Sequence, residues 1–279
     1  MQRLLSRSLI DGHPSAYIHP GDLAWWLGWP PRSDAWLAEN VALWEDVDED
    51  LRAWVVLDDA DVGEWVDTAA GPEAEAAAWA ELDGWLAERR GLRRYVRADD
   101  LEAIDRLDAG GYRRANDDMV AFSIDLTPLA AAPPDDRVRS LADPDEVPAR
   151  AIVTRAAFRA FDRSYETYLR QYGTFMASPA YPSGWDLVAW AEPGRAASCT
   201  IAWPDPASGV GNFEPVATHP AFARRGFGSA VLREGFRRLA RAGMRRAIVR
   251  TGVDNAPAIG LYRSVGFVED HVEITFQRT

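Results

Sequence analysis

The stretch at residues 214–229, Glu-Pro-Val-Ala-Thr-His-Pro-Ala-Phe-Ala-Arg-Arg-Gly-Phe-Gly-Ser, constrains the fold more than any other part of the sequence. It predicts a strand, a turn with two closely spaced glycines, and the first turn of a helix, because apolar residues then recur at helical spacing. Gly226 and Gly228 lack a Cβ, so the backbone there can come close to a ligand. Gly243 is typical of a helix C-cap, and the predicted helix therefore ends near it.

The predicted helix N-terminus carries basic side chains. A helix N-terminus has free N–H groups and a favourable dipole, so Arg224 and Arg225 beside it predict a site for a phosphate or pyrophosphate. The alternative interpretation is a glycine-rich turn with a solvated arginine pair.

The segments that follow predict a regular order of elements up to the end of the chain. Residues 243–251 are typical of a helix exit followed by a strand, and residues 252–257 of a loop. Residues 258–267 predict a short helix closed by Gly266, and residues 272–276 predict a final strand.

Residues 214–276 resemble the acetyl-CoA-binding half of the GNAT superfamily of N-acetyltransferases. The run Arg-Arg-Gly-Phe-Gly-Ser at 224–229 is similar to the pyrophosphate loop of that family, and Asn255 with residues 258–267 is similar to its second cofactor motif. One departure is Ala223, which stands where the family has a leading Arg or Gln. The loop amides survive that change, but one side-chain contact is lost or shifts to Arg224.

The resemblance implies acetyl-CoA as co-substrate. The backbone N–H groups of residues 216–218 are candidates for holding the pantetheine arm and polarising the thioester carbonyl, and Pro215 has no N–H to contribute. Asn255 either bonds the pantetheine or fixes its own loop, and turn formation is the alternative interpretation. The full set of implied cofactor-binding residues is Val216, Ala217, Thr218, Arg224, Arg225, Gly226, Phe227, Gly228, Ser229, Asn255 and Tyr262.

Two side chains are candidates for catalysis. An amine acceptor must lose a proton before it attacks a thioester, and the leaving thiolate is helped by a proton donor. The resemblance implies Glu214 as the general base, on a strand that Pro215 predicts to be bulged or splayed, and Tyr262 as the general acid. The alternatives are a Glu214 that faces solvent or pairs with an arginine, and a Tyr262 that packs on the cofactor. His219 is interpreted as a turn residue.

The sequence repeats itself across a Pro/Ala-rich linker at 127–136. Residues 64–68, 91–97 and 103–112 match residues 214–218, 243–249 and 258–267, with offsets that drift only from 150 to 155. Chance similarity in a biased composition is the alternative interpretation. The repeat predicts an α/β fold of two tandem GNAT copies, each a mixed, mostly antiparallel sheet flanked by helices.

The two predicted copies differ where the cofactor chemistry would lie. Residues 71–76, Gly-Pro-Glu-Ala-Glu-Ala, put carboxylates opposite the arginine-rich loop, and Leu107 stands opposite Tyr262. We therefore expect a degenerate domain without a cofactor site at 1–126 and a catalytic domain at 137–279.

Composition narrows the functional classes. The net charge of −12 opposes nucleic-acid binding, and the longest apolar runs are too short for a membrane span. Cys199 is the only cysteine, so no internal disulfide can form, which suggests a cytoplasmic protein. Cys199 itself is interpreted as a small buried apolar side chain. No metal site is predicted, because the histidines show no ligand spacing: His13, His19, His219 and His271. A monomer or a homodimer is expected.

The predicted function is transfer of an acetyl group from acetyl-CoA to a primary amine of a small cationic acceptor, since residues 1–126 carry 27 acidic and 12 basic side chains. The alternatives are a non-catalytic acetyl-CoA-binding or sensing module and acetylation of a protein lysine. The tryptophans of the first half are interpreted mostly as packing, with an aromatic wall for a cation at 25–29 as the minority interpretation. The aromatic residues of segment 158–181 are expected to cover the acceptor side: Tyr165, Tyr168, Tyr172 and Phe175.

Overall fold

The computed structural model describes residues 1–11, 18–141, 143–160 and 162–279. His13 lies outside these residues. The first half contains these helices and strands: α1 (Gln2–Asp11), α2 (Pro20–Gly28), α3 (Asp34–Asn40), β1 (Val41–Glu45), β2 (Leu51–Asp58), β3 (Asp61–Val66), α4 (Pro72–Ala87), β4 (Leu92–Arg97), α5 (Leu101–Ala109), β5 (Arg113–Arg114) and β6 (Met119–Asp125).

The second half repeats much of this order. It contains β7 (Val138–Ser140), α6 (Val147–Phe158), α7 (Tyr165–Met176), β8 (Asp186–Glu192), β9 (Arg195–Asp205), β10 (Val210–Thr218), α8 (Phe227–Arg241), β11 (Arg246–Gly252), α9 (Ala256–Ser264) and β12 (Val268–Arg278). The strand, helix, strand and helix predicted from residue 214 onward are confirmed, and the last strand is longer than expected. Gly243, with φ of 90°, follows the end of α8 as predicted.

The described strands form one continuous sheet in the order β1-β2-β3-β4-β12-β6-β11-β10-β9-β8-β7, with β5 paired to β12. Among these described strands, only the pairs β3/β4 and β10/β11 are parallel, and all other neighbours are antiparallel. The predicted class, a mixed and mostly antiparallel sheet flanked by helices, is confirmed. The parallel pair occurs once in each half and at the same place in the element order, with α4 and α8 as the connecting helices.

The last strands of the two halves are exchanged. Strand β6 closes the first half in sequence but pairs with β11 of the second half over seven residue pairs, from Arg246 opposite Asp125 to Gly252 opposite Met119. Strand β12 closes the chain but pairs with β4 of the first half, from Glu273 opposite Arg97 onward. Because each half is completed by a strand of the other, the two form a single sheet.

Helices cover both faces of the sheet. Helices α6 and α7 share a hydrophobic cluster with α2 of the first half, which includes Ala24, Trp25 and Trp29. Helices α8 and α9 lie on the opposite face, in a cluster with Phe213, Leu232 and residues of β11. Helix α2 therefore brings part of the first half onto the face opposite α8. Among the described residues, no helix combines the length and apolar character that crossing a bilayer needs.

Candidate active site

A cleft opens where the parallel strands β10 and β11 separate. Their pairing runs only from Val210 to Asn212, opposite Arg246 to Ile248, and beyond that point the strands diverge. The cleft has a volume of about 530 Å³ and lies between the end of β10, the start of α8 and helix α9. Its lining includes nine of the predicted site residues: Val216, Thr218, Arg224, Gly226, Phe227, Gly228, Ser229, Asn255 and Tyr262.

The loop before α8 presents backbone donors to this cleft. Gly226 is the N-cap of α8 with φ of 83°, and no side chain caps the helix. Arg224 also has a left-handed backbone, with φ of 62°. The first N–H groups of a helix have no intrahelical partner, so here they stay available to a ligand. Together with the helix dipole they favour an anionic group at this end of the cleft.

The two glycines of the loop serve different purposes. A Cβ on Gly226 would meet no atom within 4 Å, so this residue is needed for its positive φ and for the exposed backbone. A Cβ on Gly228 would lie 3.0 Å from Oγ1 of Thr218 and 3.1 Å from Cδ2 of Leu261. Gly228 therefore lets α8 approach β10 and α9 closely.

The arginines beside the loop point in different directions. Arg224 lines the cleft. The guanidinium of Arg225 lies over the rings of Phe222 and Phe227, 5.2 and 5.8 Å from their centres, and Arg225 is not part of the lining. Both side chains are exposed.

The backbone of β10 offers alternate N–H groups to the cleft. The N–H of His219 donates to Ala197 in β9, and antiparallel alternation directs the N–H of Ala217 to the same side. The N–H groups of Val216 and Thr218 then point toward β11, which has already diverged. The ladder with β9 shifts register between Phe213 and Val216, so the bulge predicted at Pro215 is confirmed.

Tyr262 is held rigidly at the wall of the cleft. It is 4% exposed, and its ring contacts Phe122 and Phe267 edge-on, with centroids 5.7 and 5.8 Å away. Burial raises the pKa of its hydroxyl well above the ordinary value, and the negative charge of Glu214 raises it further. The phenol therefore keeps its proton at neutral pH.

Glu214 lies on β10, the strand that enters the loop, and is partly buried. Burial raises the pKa of its carboxyl to about 7, the charge of Asp22 contributes to the increase, and the charge of Arg250 opposes it. The backbone oxygen of Glu214 accepts a hydrogen bond of 2.7 Å from Nε1 of Trp203, which fixes the strand there. A carboxylate with a pKa near 7 is well suited to accept a proton at neutral pH.

Sequence reasoning missed Asp22 and Arg250. Asp22 belongs to α2, and its side chain accepts a hydrogen bond of 2.8 Å from Nδ2 of Asn212 in β10. Nη2 of Arg250 lies 3.6 Å from Oδ2 of Asp22. Arg250 lies in the predicted strand before the second motif, so its position was visible in the sequence. Asp22 is 190 residues from Asn212, and no local pattern connects them.

Asn255 has a structural function that the structure shows directly. It is the N-cap of α9, where its Oδ1 accepts from the N–H of Ala258 at 3.3 Å, and its Nδ2 donates to Oγ1 of Thr251 at 2.9 Å. His219 likewise accepts from the N–H of Ala221, so its interpretation as a turn residue is confirmed.

The equivalent place in the first half is closed. Strands β3 and β4 also diverge, but the cavity between them measures only about 20 Å³. The guanidinium of Arg106 lies 3.5 Å from the ring centre of Trp79, and Arg94 bonds Glu64 at 2.6 Å, so side chains fill the space. Leu107 occupies the position in α5 that Tyr262 occupies in α9.

Three of the four aromatic residues expected over the acceptor side are core residues, so that prediction is wrong for them. Tyr168, Tyr172 and Phe175 are 4%, 0% and 0% exposed and pack against Trp25 and Trp29. Their spacing along α7 is equally compatible with a helix face that packs into the core and with one that contacts a substrate. The nine tryptophans of the first half all belong to hydrophobic clusters, in agreement with their interpretation as packing residues.

Cys199 is fully buried, and burial raises the pKa of its thiol to about 12, which confirms its interpretation as a small core side chain. The described residues contain no group of three or more side chains suited to bind a metal.

Residues 149–267 match the model of the Acetyltransferase (GNAT) family. This segment is a GNAT acetyltransferase domain. The family takes the acetyl group from acetyl-CoA, so this domain is the N-acetyltransferase part of the chain. No curated protein matches the chain.

Solved GNAT structures share the fold over nearly the whole chain. A GCN5-related N-acetyltransferase from Sphaerobacter thermophilus is 18% identical, with a TM-score of 0.63, and the match covers 99% of this chain and 90% of that one. A tandem GNAT protein from the clavulanic acid biosynthesis pathway is 16% identical, with a TM-score of 0.63, over 99% of this chain and 93% of that one. A GCN5-related N-acetyltransferase from Kribbella flavida is 16% identical, with a TM-score of 0.53, over 88% and 91% of the two chains. The predicted tandem GNAT fold is confirmed.

Proposed function

We propose that this GNAT enzyme transfers the acetyl group of acetyl-CoA to a primary amine of a small cationic acceptor, and that only the second half binds the cofactor. The observation that carries the proposal is Glu214, whose carboxyl has a pKa of about 7 and whose charge acts on the hydroxyl of Tyr262 at the cleft wall. A module that only binds acetyl-CoA needs neither group.

Different parts of the cleft would bind the pyrophosphate, the pantetheine arm and the thioester of acetyl-CoA. The uncapped N-terminus of α8 and the loop at 224–229 would bind the pyrophosphate, with Arg224 as the nearest side-chain cation. The N–H groups of Val216 and Thr218 would bind the pantetheine arm and the thioester oxygen. Ala217 turns its N–H to β9 and supports the strand. Asn255 supports the far wall through its cap of α9.

The chemistry follows from the two side chains. Glu214 takes a proton from the ammonium group of the acceptor, so that the nitrogen lone pair can attack the thioester carbonyl. The C–N bond forms as the C–S bond breaks, Tyr262 donates its proton to the leaving thiolate, and the extra proton of the acetylated nitrogen returns to the tyrosinate. These steps reinforce each other, because protonating Glu214 removes the charge that raises the pKa of Tyr262. The acid therefore becomes stronger once the base has acted.

A panel of amines with detection of free coenzyme A thiol tests the proposal. We expect amine-dependent thiol release above a slow background hydrolysis of the thioester. Coenzyme A binding without any thiol release would identify a binding or sensing module instead. Calorimetry on a Gly226→Val variant, which should lose coenzyme A binding, separates the cleft from any other cofactor site.

A further inference from the structure

Side chains bridge β10 and β11 at the point where the backbone ladder between these strands ends. The last pair of the ladder is Asn212 opposite Ile248. Continued by two residues on each strand, this register places Glu214 opposite Arg250, and residues two apart on a strand face the same side. The side chains of Asn212 and Arg250 both reach Asp22 of α2, at 2.8 and 3.6 Å. The register by itself would therefore favour an ion pair between Glu214 and Arg250.

The guanidinium of Arg250 binds two other carboxylates instead. Its Nη1 donates a hydrogen bond of 3.0 Å to Oε2 of Glu273, and its Nη2 lies 3.6 Å from Oδ2 of Asp22. Within the described part of the chain, the carboxylate of Glu214 has no hydrogen bond and no ion pair, although the charges of Asp22 and Arg250 both act on it. The base is therefore unpaired beside a cation that is held elsewhere.

Both carboxylates that hold Arg250 are firmly placed. Asp22 is 3% exposed, and its Oδ2 accepts a hydrogen bond of 2.9 Å from the N–H of His19, which completes the capping box of α2. Glu273 is fully buried in β12. Helix α2 belongs to the first half, and β12 is one of the two exchanged strands. The restraint on Arg250 therefore exists only when both halves are assembled.

The first half shows the alternative arrangement at the equivalent position. Glu64 of β3 aligns with Glu214 in the repeat, and Nη2 of Arg94 in β4 donates a hydrogen bond of 2.6 Å to its Oε1. Nη2 of Arg106 lies 3.9 Å from the same oxygen. Guanidinium groups that bind a carboxylate favour its charged form, so a paired carboxylate is a poor proton acceptor. The carboxylate is thus paired in the half whose cleft is closed and unpaired in the half where a base is needed.

We propose that Asp22 and Glu273 are positioning residues, which hold Arg250 away from Glu214 and so keep the base unpaired. The inference rests on the proposed function, in which Glu214 takes a proton from the acceptor. If either carboxylate is lost, Arg250 pairs with Glu214, binds its lone pairs and lowers its affinity for a proton. The first half of the chain thus acts on catalysis, although its own cofactor site is closed.

The charged and titratable groups around Glu214 and Arg250 come from α2, α9, β12 and the residue before α2: Asp22, Tyr262, Glu273, His271 and His19. Burial lowers the pKa of His19, so its ring is neutral at neutral pH. Nε2 of His271 lies 3.4 Å from Oε1 of Glu273. Since a histidine titrates in the same range as Glu214, the test uses the plateau of kcat/KM above the acidic limb as well as the position of the limb.

The test measures kcat/KM against pH by thiol release, with the amine of the panel that gives the highest activity. It compares Asp22→Asn, Arg250→Gln and the variant that carries both changes. We expect Asp22→Asn to lower the plateau by about tenfold or more, the effect of a hydrogen bond between charged groups, because Arg250 then pairs with Glu214. The double variant has no guanidinium to form that pair, so its plateau should equal that of Arg250→Gln within about twofold.

Asp83→Asn is the matched control, because Asp83 is also a helix carboxylate that binds a buried strand arginine, Arg94, at 2.8 Å. It lies in the first half, away from the candidate active site, and should change neither the plateau nor the limb. Glu273→Gln is the second test variant and should also lower the plateau, unless Arg250→Gln is present. Asp22→Asn leaves Arg250 paired with Glu273, and Glu273→Gln leaves it with Asp22, so each single variant keeps one ion pair to support folding.

The outcomes separate the inference from the proposed function. If the losses from Asp22→Asn and Arg250→Gln multiply, the two residues act independently, and the inference is overturned while the proposed function stands. An unchanged plateau in the folded Asp22→Asn and Glu273→Gln variants would also overturn it, as would a crystal structure of Asp22→Asn in which Arg250 does not contact Glu214. If no amine increases thiol release by the unaltered enzyme, the proposed function itself is contradicted, and the inference with it.

Discussion

Glu214, the proposed general base, is expected to lower the stability of the fold at neutral pH because its carboxyl is largely buried. Its pKa is raised from 4.5 to about 7, so between these two values the folded protein binds a proton that the unfolded chain has lost. The free energy of unfolding therefore decreases as the pH rises from about 4.5 to about 7. At 1.36 kcal/mol for each pKa unit, ionised Glu214 lowers stability by about 3 kcal/mol above pH 7, and partial exposure makes this an upper value.

The substitution Glu214→Gln removes this ionisation and keeps the shape of the side chain. We expect the variant to gain stability relative to the unaltered enzyme as the pH rises, from no pH-dependent difference near pH 4.5 to a gain of up to about 3 kcal/mol at pH 8. Urea unfolding at several pH values measures the difference between the two proteins. The amide can also change stability by an amount that does not depend on pH, for example through a changed hydrogen bond. Such an effect shifts the difference between the two proteins equally at every pH and leaves its pH dependence unchanged.

The same variant should lose activity by roughly 10²- to 10⁴-fold, the usual contribution of a general base. In the unaltered enzyme kcat/KM should rise with pH through about 7, and the variant should lack this limb. A stability difference that stays constant between pH 4.5 and 8 would show that the fold does not raise the pKa of Glu214. An acidic limb that persists in the variant would assign the base to another group.

Three further changes test other parts of the site. Tyr262→Phe should lower kcat by roughly 10²-fold, as expected for a lost proton donor, while calorimetry shows coenzyme A affinity within about twofold of the unaltered value; an unchanged kcat would remove the tyrosine from the mechanism. Gly226→Ala should destabilise the fold by about 1 kcal/mol, because a left-handed backbone disfavours a Cβ, and should weaken coenzyme A binding more than it slows turnover at saturation; unaltered binding would argue against contact with this backbone. Asp22→Asn should shift the acidic limb of kcat/KM to lower pH, and Arg250→Gln should shift it to higher pH. The reason is that the charge of Asp22 raises the pKa of Glu214 and the charge of Arg250 lowers it. Shifts in the same direction would refute the assigned electrostatics.

The elements around the candidate active-site cleft were predictable because their signals are local. The two-glycine turn, the helix after it and the C-cap at Gly243 each depend on a few neighbouring residues. The bulge at Pro215 follows from a missing N–H. The repeat was also visible in the sequence, since matching segments kept their order, and its two parallel strand pairs appear in the structure.

The electrostatic surroundings of Glu214 were not predictable, because they come from distant parts of the chain. Asp22 reaches β10 only through the packing of α2 on the opposite half. The exchange of β6 and β12 has no local signal either, because the sequence of each strand is compatible with either position in the sheet. Tyr172 shows a different limit of sequence reasoning. Aromatic residues at helical spacing give the same sequence pattern whether they face a hydrophobic core or a substrate.

The exchange of β6 and β12 has a consequence for how this protein is made. Strand β12 is made after every other strand of the sheet, yet it is the neighbour that β4 requires, so the first half stays incomplete until β12 has been synthesised. A nascent chain that stops early leaves the hydrogen-bonding groups of β4 open to other chains, a state that favours aggregation. Neither half should be obtainable as an independent folded piece, and cutting the connection at 127–136 should leave two fragments that remain associated.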